Sequence, residues 1–283
     1  MMRALIVLAL AGCAHHKSVP APISFGPNHE LLVGVHINGS AAVLQVDTGA
    51  SKTALTSAAI DKLHLQLIPM SNDGHGAAGH IGTVQLVALM DTQLCGHAVH
   101  FLPGAIVEVD SGNGSIDGVL GMDVLGRYAT EIDLDRKELS LHRTHDDAWR
   151  AGDFVGIAYA QTESGQILVD AILDGRPVRA ILDVGANRSF ASPSAAPSTD
   201  EVSQVTTEVV GADGHAATFH AKLHVPMAVG GMTFVVPSLL VAQLPIFQRL
   251  VGAGPAMIIG ADVLDGRRIV IDPEDRRVYL SRR

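Results

Sequence analysis

The sequence predicts an all-β protein made of two like halves, with few and short helices. Three observations carry this: an internal duplication, period-two alternation inside the repeated segments, and matching hairpin signals in both copies. Residues 31–55 align with 167–191, placing Gly39 on Gly175 and Asp47 on Asp183 at an offset of 136. Residues 118–143 align with 257–282, placing Gly121 on Gly260, Asp123 on Asp262 and Asp133 on Asp272 at an offset of 139. Two anchors with nearly one offset over most of 283 residues mark a duplication, and a repeat of this kind decides the whole fold.

Taken in order, the chain opens as a targeting segment. Arg3 supplies positive charge, and the apolar stretch 4–12 is too short to span a bilayer as a helix. It ends in Leu10-Ala11-Gly12-Cys13, which resembles the lipobox of bacterial lipoproteins, where the Cys is lipidated and becomes the first mature residue. The resemblance implies a signal peptide over 1–12 and lipidation at Cys13. It also implies a place in the bacterial cell envelope, lipid-anchored on the periplasmic side, with the outer membrane expected. A tether is expected over 13–27, where Pro20 and Pro22 discourage regular structure. The first repeat then covers 28–145 and the second 152–283.

Within the first repeat, Leu31, Val33, Val35 and Ile37 alternate with Leu32, Gly34, His36 and Asn38, a strand period. Asn38-Gly39 and Asp174-Gly175 are hairpin turns at matching places. An apolar strand next runs into Asp47-Thr48-Gly49-Ala50, and its counterpart into Asp183-Val184-Gly185-Ala186. Residues 56–65 are the best helix candidate; the prolines in 192–201 forbid a long helix at the matching place. Gly-rich stretches at 74–86 and 210–223 read as a pair of hairpins covering something. Cys95 is expected to be a small buried hydrophobe, and Asp123 and Asp262 to cap short helices.

Composition excludes several functions. At 47% hydrophobic and 17% charged the chain is not disordered, and with 4% aromatics its core must be Val, Leu, Ile and Ala. Net charge is −9 and no basic run exceeds the closing Arg282-Arg283, which argues against nucleic acid as a partner. The 14 His are scattered, and His97 and His100, three apart on a strand, would face opposite ways, so no metal site is expected. The Gly-x-Gly in 252–260 lacks the strand–helix context of a dinucleotide loop, and 133–138 lacks the Gly and Glu of a calcium loop. No cofactor is expected.

The Asp-Thr-Gly-Ala turn after an apolar strand, the Gly-rich hairpin and an apolar-apolar-Gly element some seventy residues on resemble the retropepsin-like aspartic proteases, twice over. The resemblance implies a two-lobed, pseudo-symmetric acid-protease β-barrel fold in which both halves of the family's dimer share one chain, so a monomer with an internal pseudo-dimer is expected. Asp47 and Asp183 become the catalytic pair, held in active-site turns completed by Thr48, Gly49 and Ala50 and by Val184, Gly185 and Ala186. Val119-Leu120-Gly121 and Ile258-Ile259-Gly260 become the apolar-Gly elements. Gly76, Gly79 and His80, and Gly214 and His215, fall in the flaps.

Two close carboxylates cannot both ionise; they share a proton and titrate as a pair, so one can act as base while the other acts as acid. The function expected is therefore peptide-bond hydrolysis by an aspartic endopeptidase on a peptide or protein in extended conformation, with neither a metal nor a covalent intermediate. Val184 departs from the family, which has Thr or Ser there to hydrogen-bond across the centre. Its presence keeps a rival reading alive: a catalytically impaired peptide-binding lipoprotein of the same fold. A structural lipoprotein that kept only the fold is a third reading.

Overall fold

The computed structural model describes residues 18–77, 79–107, 116–142, 153–196, 207–210 and 216–282. Cys13 and the expected signal segment, and Gly214 and His215 of the expected second flap, lie outside the described residues. The first lobe contains β1 (Ala21–Phe25), β2 (Leu31–Ile37), β3 (Ser40–Val46), β4 (Ala54–Leu55), α1 (Ser57–Lys62), β5 (Leu67–His75), β6 (His80–Leu94), β7 (His97–Ile106), β8 (Gly118–Leu120), α2 (Met122–Leu125), β9 (Ala129–Asp133) and β10 (Glu138–His142). The second contains β11 (Phe154–Ala158), β12 (Ala160–Gln161), β13 (Ile167–Leu173), β14 (Arg176–Leu182), β15 (Phe190–Ala191), β16 (Thr207–Val210), β17 (Ala216–Val229) and β18 (Met232–Val241). It continues through α3 (Pro245–Leu250), β19 (Ala256–Ile259), α4 (Ala261–Leu264), β20 (Arg268–Asp272) and β21 (Arg277–Ser281). This is the two-lobed, all-β architecture the repeats predict, with four short helices among the described residues.

The turns that open each lobe follow from their sequence. Asn38 and Gly39 have φ of 50° and 84°, and Asp174 and Gly175 have 48° and 75°, the paired positive values of a two-residue hairpin that keeps the strands' twist. Alternation places Leu31, Val33, Val35 and Ile37 inward, all 2% exposed or less. The interior is Leu, Ile, Val and Ala, as the scarcity of aromatics requires; Phe247 is the one aromatic among the largest fully buried side chains. Thr56 caps α1 by accepting from Ala59 N–H at 3.1 Å, so the helix starts where the sequence places it.

The tether differs from expectation. Residues 21–25 form β1, pairing with β10 at Ala21 and Pro22 and with β2 from Ile23 onward. Ile23 N–H donates to Lys137 O at 2.7 Å, so by alternation the missing N–H of Pro22 points away from β10, before pairing with β2 begins. The proline removes no ladder bond there, and burial of Ile23 at 5% exposure favours the strand.

Each lobe then places its Asp by the same crossing of strands. β3 runs parallel to β8, with Val46 beside Leu120, and β4 returns antiparallel to β8. β14, β19 and β15 repeat the pattern, with Leu182 beside Ile259. The lobes join through a continuous run of strands in the order β11-β21-β20-β9-β10-β1, in which β20 of one lobe pairs antiparallel with β9 of the other.

Candidate active site

Asp47 and Asp183 follow directly from β3 and β14, and the fold brings them together. Asp47 N–H donates to Leu120 O at 3.1 Å and Asp183 N–H to Ile259 O at 3.0 Å, so each apolar-Gly strand fixes the start of one turn. Asp47 Oδ1 accepts from Gly49 N at 2.8 Å and Ala50 N at 2.9 Å; Asp183 Oδ1 accepts from Gly185 N at 2.9 Å and Ala186 N at 3.2 Å. The two carboxyl groups hydrogen-bond to each other. The glycines are required by this approach: a methyl group on Gly49 would collide with the Asp183 carboxyl, and one on Gly185 with Asp47.

The electrostatics follow from the geometry. Burial pushes Asp47 above the ordinary carboxylate range, opposed by the N–H bonds from Ala50 and Gly49 and by the bond from Asp183. Burial pushes Asp183 well above that range, and the neighbouring Asp47 charge and the shared hydrogen bond push the same way. One proton between them, held on Asp183, with the charge on Asp47, is the arrangement these effects favour, because the shared hydrogen bond lowers Asp47 and raises Asp183.

The centre is asymmetric. Thr48, fully buried, donates its hydroxyl to Leu182 O at 2.9 Å and accepts from Val184 N at 3.0 Å. Val184, 2% exposed, has no hydroxyl to reciprocate, and Thr48 N–H has no partner among the described residues. Ala50 O and Ala186 O accept from Met122 N at 2.9 Å and Ala261 N at 2.8 Å, tying each turn to the start of α2 or α4.

Asp123 and Asp262 have a different role from the helix caps the sequence suggests. They lie inside the first turns of α2 and α4, whose N-caps are Gly121 and Gly260 without side-chain capping bonds. The Asp123 carboxylate instead accepts from Thr53 N and Oγ1, both at 2.8 Å, and Asp262 from Ser189 N at 3.2 Å and Oγ at 2.7 Å. Burial pushes both carboxyls up, against these bonds. The signal was present: Thr53 and Ser189 are hydroxyl residues at the matching offset of 136. Gln45 and Gln166, which also reach the active-site turns, occupy non-matching positions, and comparison of the repeats gave no sign of them.

The first flap is the β5–β6 hairpin. Gly76 N–H donates to Gly79 O at 2.8 Å across its tip, and Ile246 N–H at the start of α3 donates to Ala77 O at 3.3 Å, so the tip rests on the opposite lobe. His80 is exposed, 5.1 Å from the His75 ring and 3.9 Å from Asp73, on the hairpin itself. Cys95 is buried in the β6–β7 turn, donates to Leu139 O at 3.1 Å, and burial pushes its thiol up to about 11.

Fold and site together define a two-lobed aspartic-protease architecture with one Asp turn per lobe. Comparison with known proteins agrees. Residues 33–127 match the family described as "gag-polyprotein putative aspartyl protease", and residues 169–263 match the family described as "Aspartyl protease". The two matches start and end 136 residues apart and together cover about two-thirds of the chain. DNA damage-inducible protein 1 of Neurospora crassa is 29% identical over 118 residues, 42% of this chain and 26% of that protein. UBA domain-containing protein Mud1 of Schizosaccharomyces pombe is 28% identical over 121 residues, 43% of this chain and 36% of that protein. The chain thus spans about a quarter to a third of these relatives' length. The aspartic proteinase from Irpex lacteus shares the fold, with a TM-score of 0.57 and 14% identity over 93% of this chain and 96% of that one. The chain belongs to the retropepsin-like aspartic proteases, as a tandem duplication.

Proposed function

We propose that this chain is an aspartic-type endopeptidase that uses Asp47 and Asp183 to activate water for peptide-bond hydrolysis. The observation that carries the reading is the hydrogen-bonded carboxyl pair, each member held by two backbone N–H groups of its own turn. Asp47, the ionised member, takes a proton from a water molecule placed between the acids, and the hydroxide so formed attacks the scissile carbonyl carbon. Asp183 gives its proton to the carbonyl oxygen, completing a tetrahedral diol. A proton then passes to the amide nitrogen, the C–N bond breaks, and the products leave as a carboxylic acid and an amine. The flap, whose tip rests on the opposite lobe, suits a peptide in extended conformation, and the paired lobes suit a monomer.

The test is cleavage of a peptide library by the purified full chain, with and without pepstatin, beside Asp47→Asn and Asp183→Asn. Each variant is expected to lose about 10²–10⁴-fold in turnover, because an amide serves as neither acid nor base. Full turnover in either variant overturns the two-carboxylate mechanism. Val184 favours a second reading, a peptide-binding protein with an impaired dyad; peptides that bind without being cut would support it.

The lipobox-like Leu10 to Cys13 supports a lipid anchor facing the periplasm, with the outer membrane as the proposed site. Among the described residues no helix is long and apolar enough to cross a membrane. Cys13→Ser is expected to release the protein from membranes on fractionation, and unchanged association would end this reading.

A further inference from the structure

Val184 leaves the centre with one hydroxyl link between the lobes, and two glutamines add links of another kind. Gln45 lies on β3, two residues before Asp47, and its Nε2 donates across the lobe boundary to Gly185 O at 2.8 Å. Gln166, 3% exposed at the foot of β13, donates from Nε2 to Gly49 O at 3.3 Å. Its amide orientation is set by its other end. Oε1 accepts from Thr162 Oγ1 at 2.5 Å and Ser164 Oγ at 2.6 Å, and Thr162 Oγ1 itself accepts from Gln166 N at 3.0 Å. A flipped amide would set Oε1 against Gly49 O, acceptor against acceptor.

The two carbonyls are equivalent under the repeat, but the two glutamines are not. At the offset of 136, Gln45 corresponds to Ile181 and Gln166 to Glu30. Different positions have therefore converged on one target, which inheritance from a common half does not explain.

The target has a physical meaning. A peptide unit is planar, so its C=O and the following N–H move together. The unit carrying Gly49 O also carries Ala50 N–H, the donor to Asp47 Oδ1 at 2.9 Å. The unit carrying Gly185 O carries Ala186 N–H, the donor to Asp183 Oδ1 at 3.2 Å. We propose that Gln45 and Gln166 are positioning residues of the dyad, each clamping from the opposite lobe the peptide unit whose N–H holds a catalytic carboxyl. Their part in turnover rests on the protease reading; their part in holding the carboxyl groups does not.

The test therefore reads the carboxyls directly. Carbon-13 labelled aspartate in the full chain, held in detergent, is titrated by NMR in the native protein, Gln45→Leu and Gln166→Leu. Loss of a clamp weakens an N–H bond that favours the charged carboxylate, so the dyad should titrate at higher pH in both variants. Turnover, where present, should fall about tenfold or more in kcat. Adding Val184→Thr, which supplies a second hydroxyl link, should move both readouts back toward the native values. Gln45 is only partly buried, so its variant tests the idea even if loss of Gln166 prevents folding. A shifted titration without any hydrolysis sustains the clamps and sinks the protease reading. A dyad that titrates as in the native protein in Gln45→Leu, with normal turnover, overturns the clamps and leaves the protease reading standing.

Discussion

One hydroxyl separates the two active-site turns, and its energetic weight can be measured at single residues. Thr48 spans the lobes with two hydrogen bonds at 2.9 and 3.0 Å, and both of its partners are backbone groups at the buried centre. Thr48→Val would leave Leu182 O and Val184 N–H without that partner, at a cost of about 1–3 kcal/mol. Val184→Thr puts a hydroxyl within the reach of Thr48 N–H, which has no partner among the described residues, and should be neutral or stabilising by up to about 1 kcal/mol. Thermal melting of both variants should therefore give unequal or opposite shifts. Equal losses would mean that Val184 fills an apolar site and that a hydroxyl has no place there.

At the scale of elements, the two lobes solve one backbone problem with different chemistry. Val43 N–H, just before β3 meets β8, donates to Asp117 Oδ2 at 2.8 Å; the matching Arg179 N–H donates to Pro255 O at 3.0 Å. Asp117 also binds Lys62 Nζ at 2.7 Å, pinning the end of α1, a helix with no counterpart after β15 among the described residues. Asp117→Ala should cost about 1–3 kcal/mol in urea unfolding, mostly from the unpaired Val43 N–H, since Lys62 is half exposed. Asp117→Asn, which can still accept from Val43, should recover most of it; an Asn variant as unstable as Ala would assign the effect to the ion pair. These elements also show what the sequence reveals. Repeated Gly and Asp, Asn-Gly turns and alternating strands were legible because each is a local signal written twice. β1 was missed because Pro20 and Pro22 outweigh one buried Ile23, and the role of Asp123 because its partner Thr53 lies 70 residues away. Gln45 and Gln166 carry no local signal at all, since an amide reaching another lobe's backbone depends on how the lobes dock.

At the scale of the molecule, stability should respond to pH through two sites that pull in opposite directions. Where β9 meets β20, Arg268 of the second lobe binds Glu131 through Nη2 and, from Nε, at 2.9 Å; the same Nε lies 3.3 Å from Asp133. His142 Nε2 lies 2.9 Å from the other Glu131 oxygen. Burial alone would raise Glu131, but the bonds from His142 and Arg268 outweigh it and hold the carboxyl below its usual range. A depressed carboxyl stabilises the fold above its unfolded pKa, and that contribution is lost as pH falls through its folded value. The dyad does the reverse. Its raised carboxyls favour the fold while protonated, and this is lost as pH rises through their folded values. The native protein should therefore melt highest at an intermediate pH, between acid loss at the lobe junction and alkaline loss at the dyad. Glu131→Gln should cost about 1–3 kcal/mol near neutrality and little in acid, moving the pH of highest Tm downward. Asp183→Asn removes one of the crowded acids, should raise Tm near neutrality, and moves that pH upward. Scanning calorimetry of the three proteins across pH checks both signs, and a shift in the same direction for both variants would show that the junction and the dyad are not the groups that set the profile.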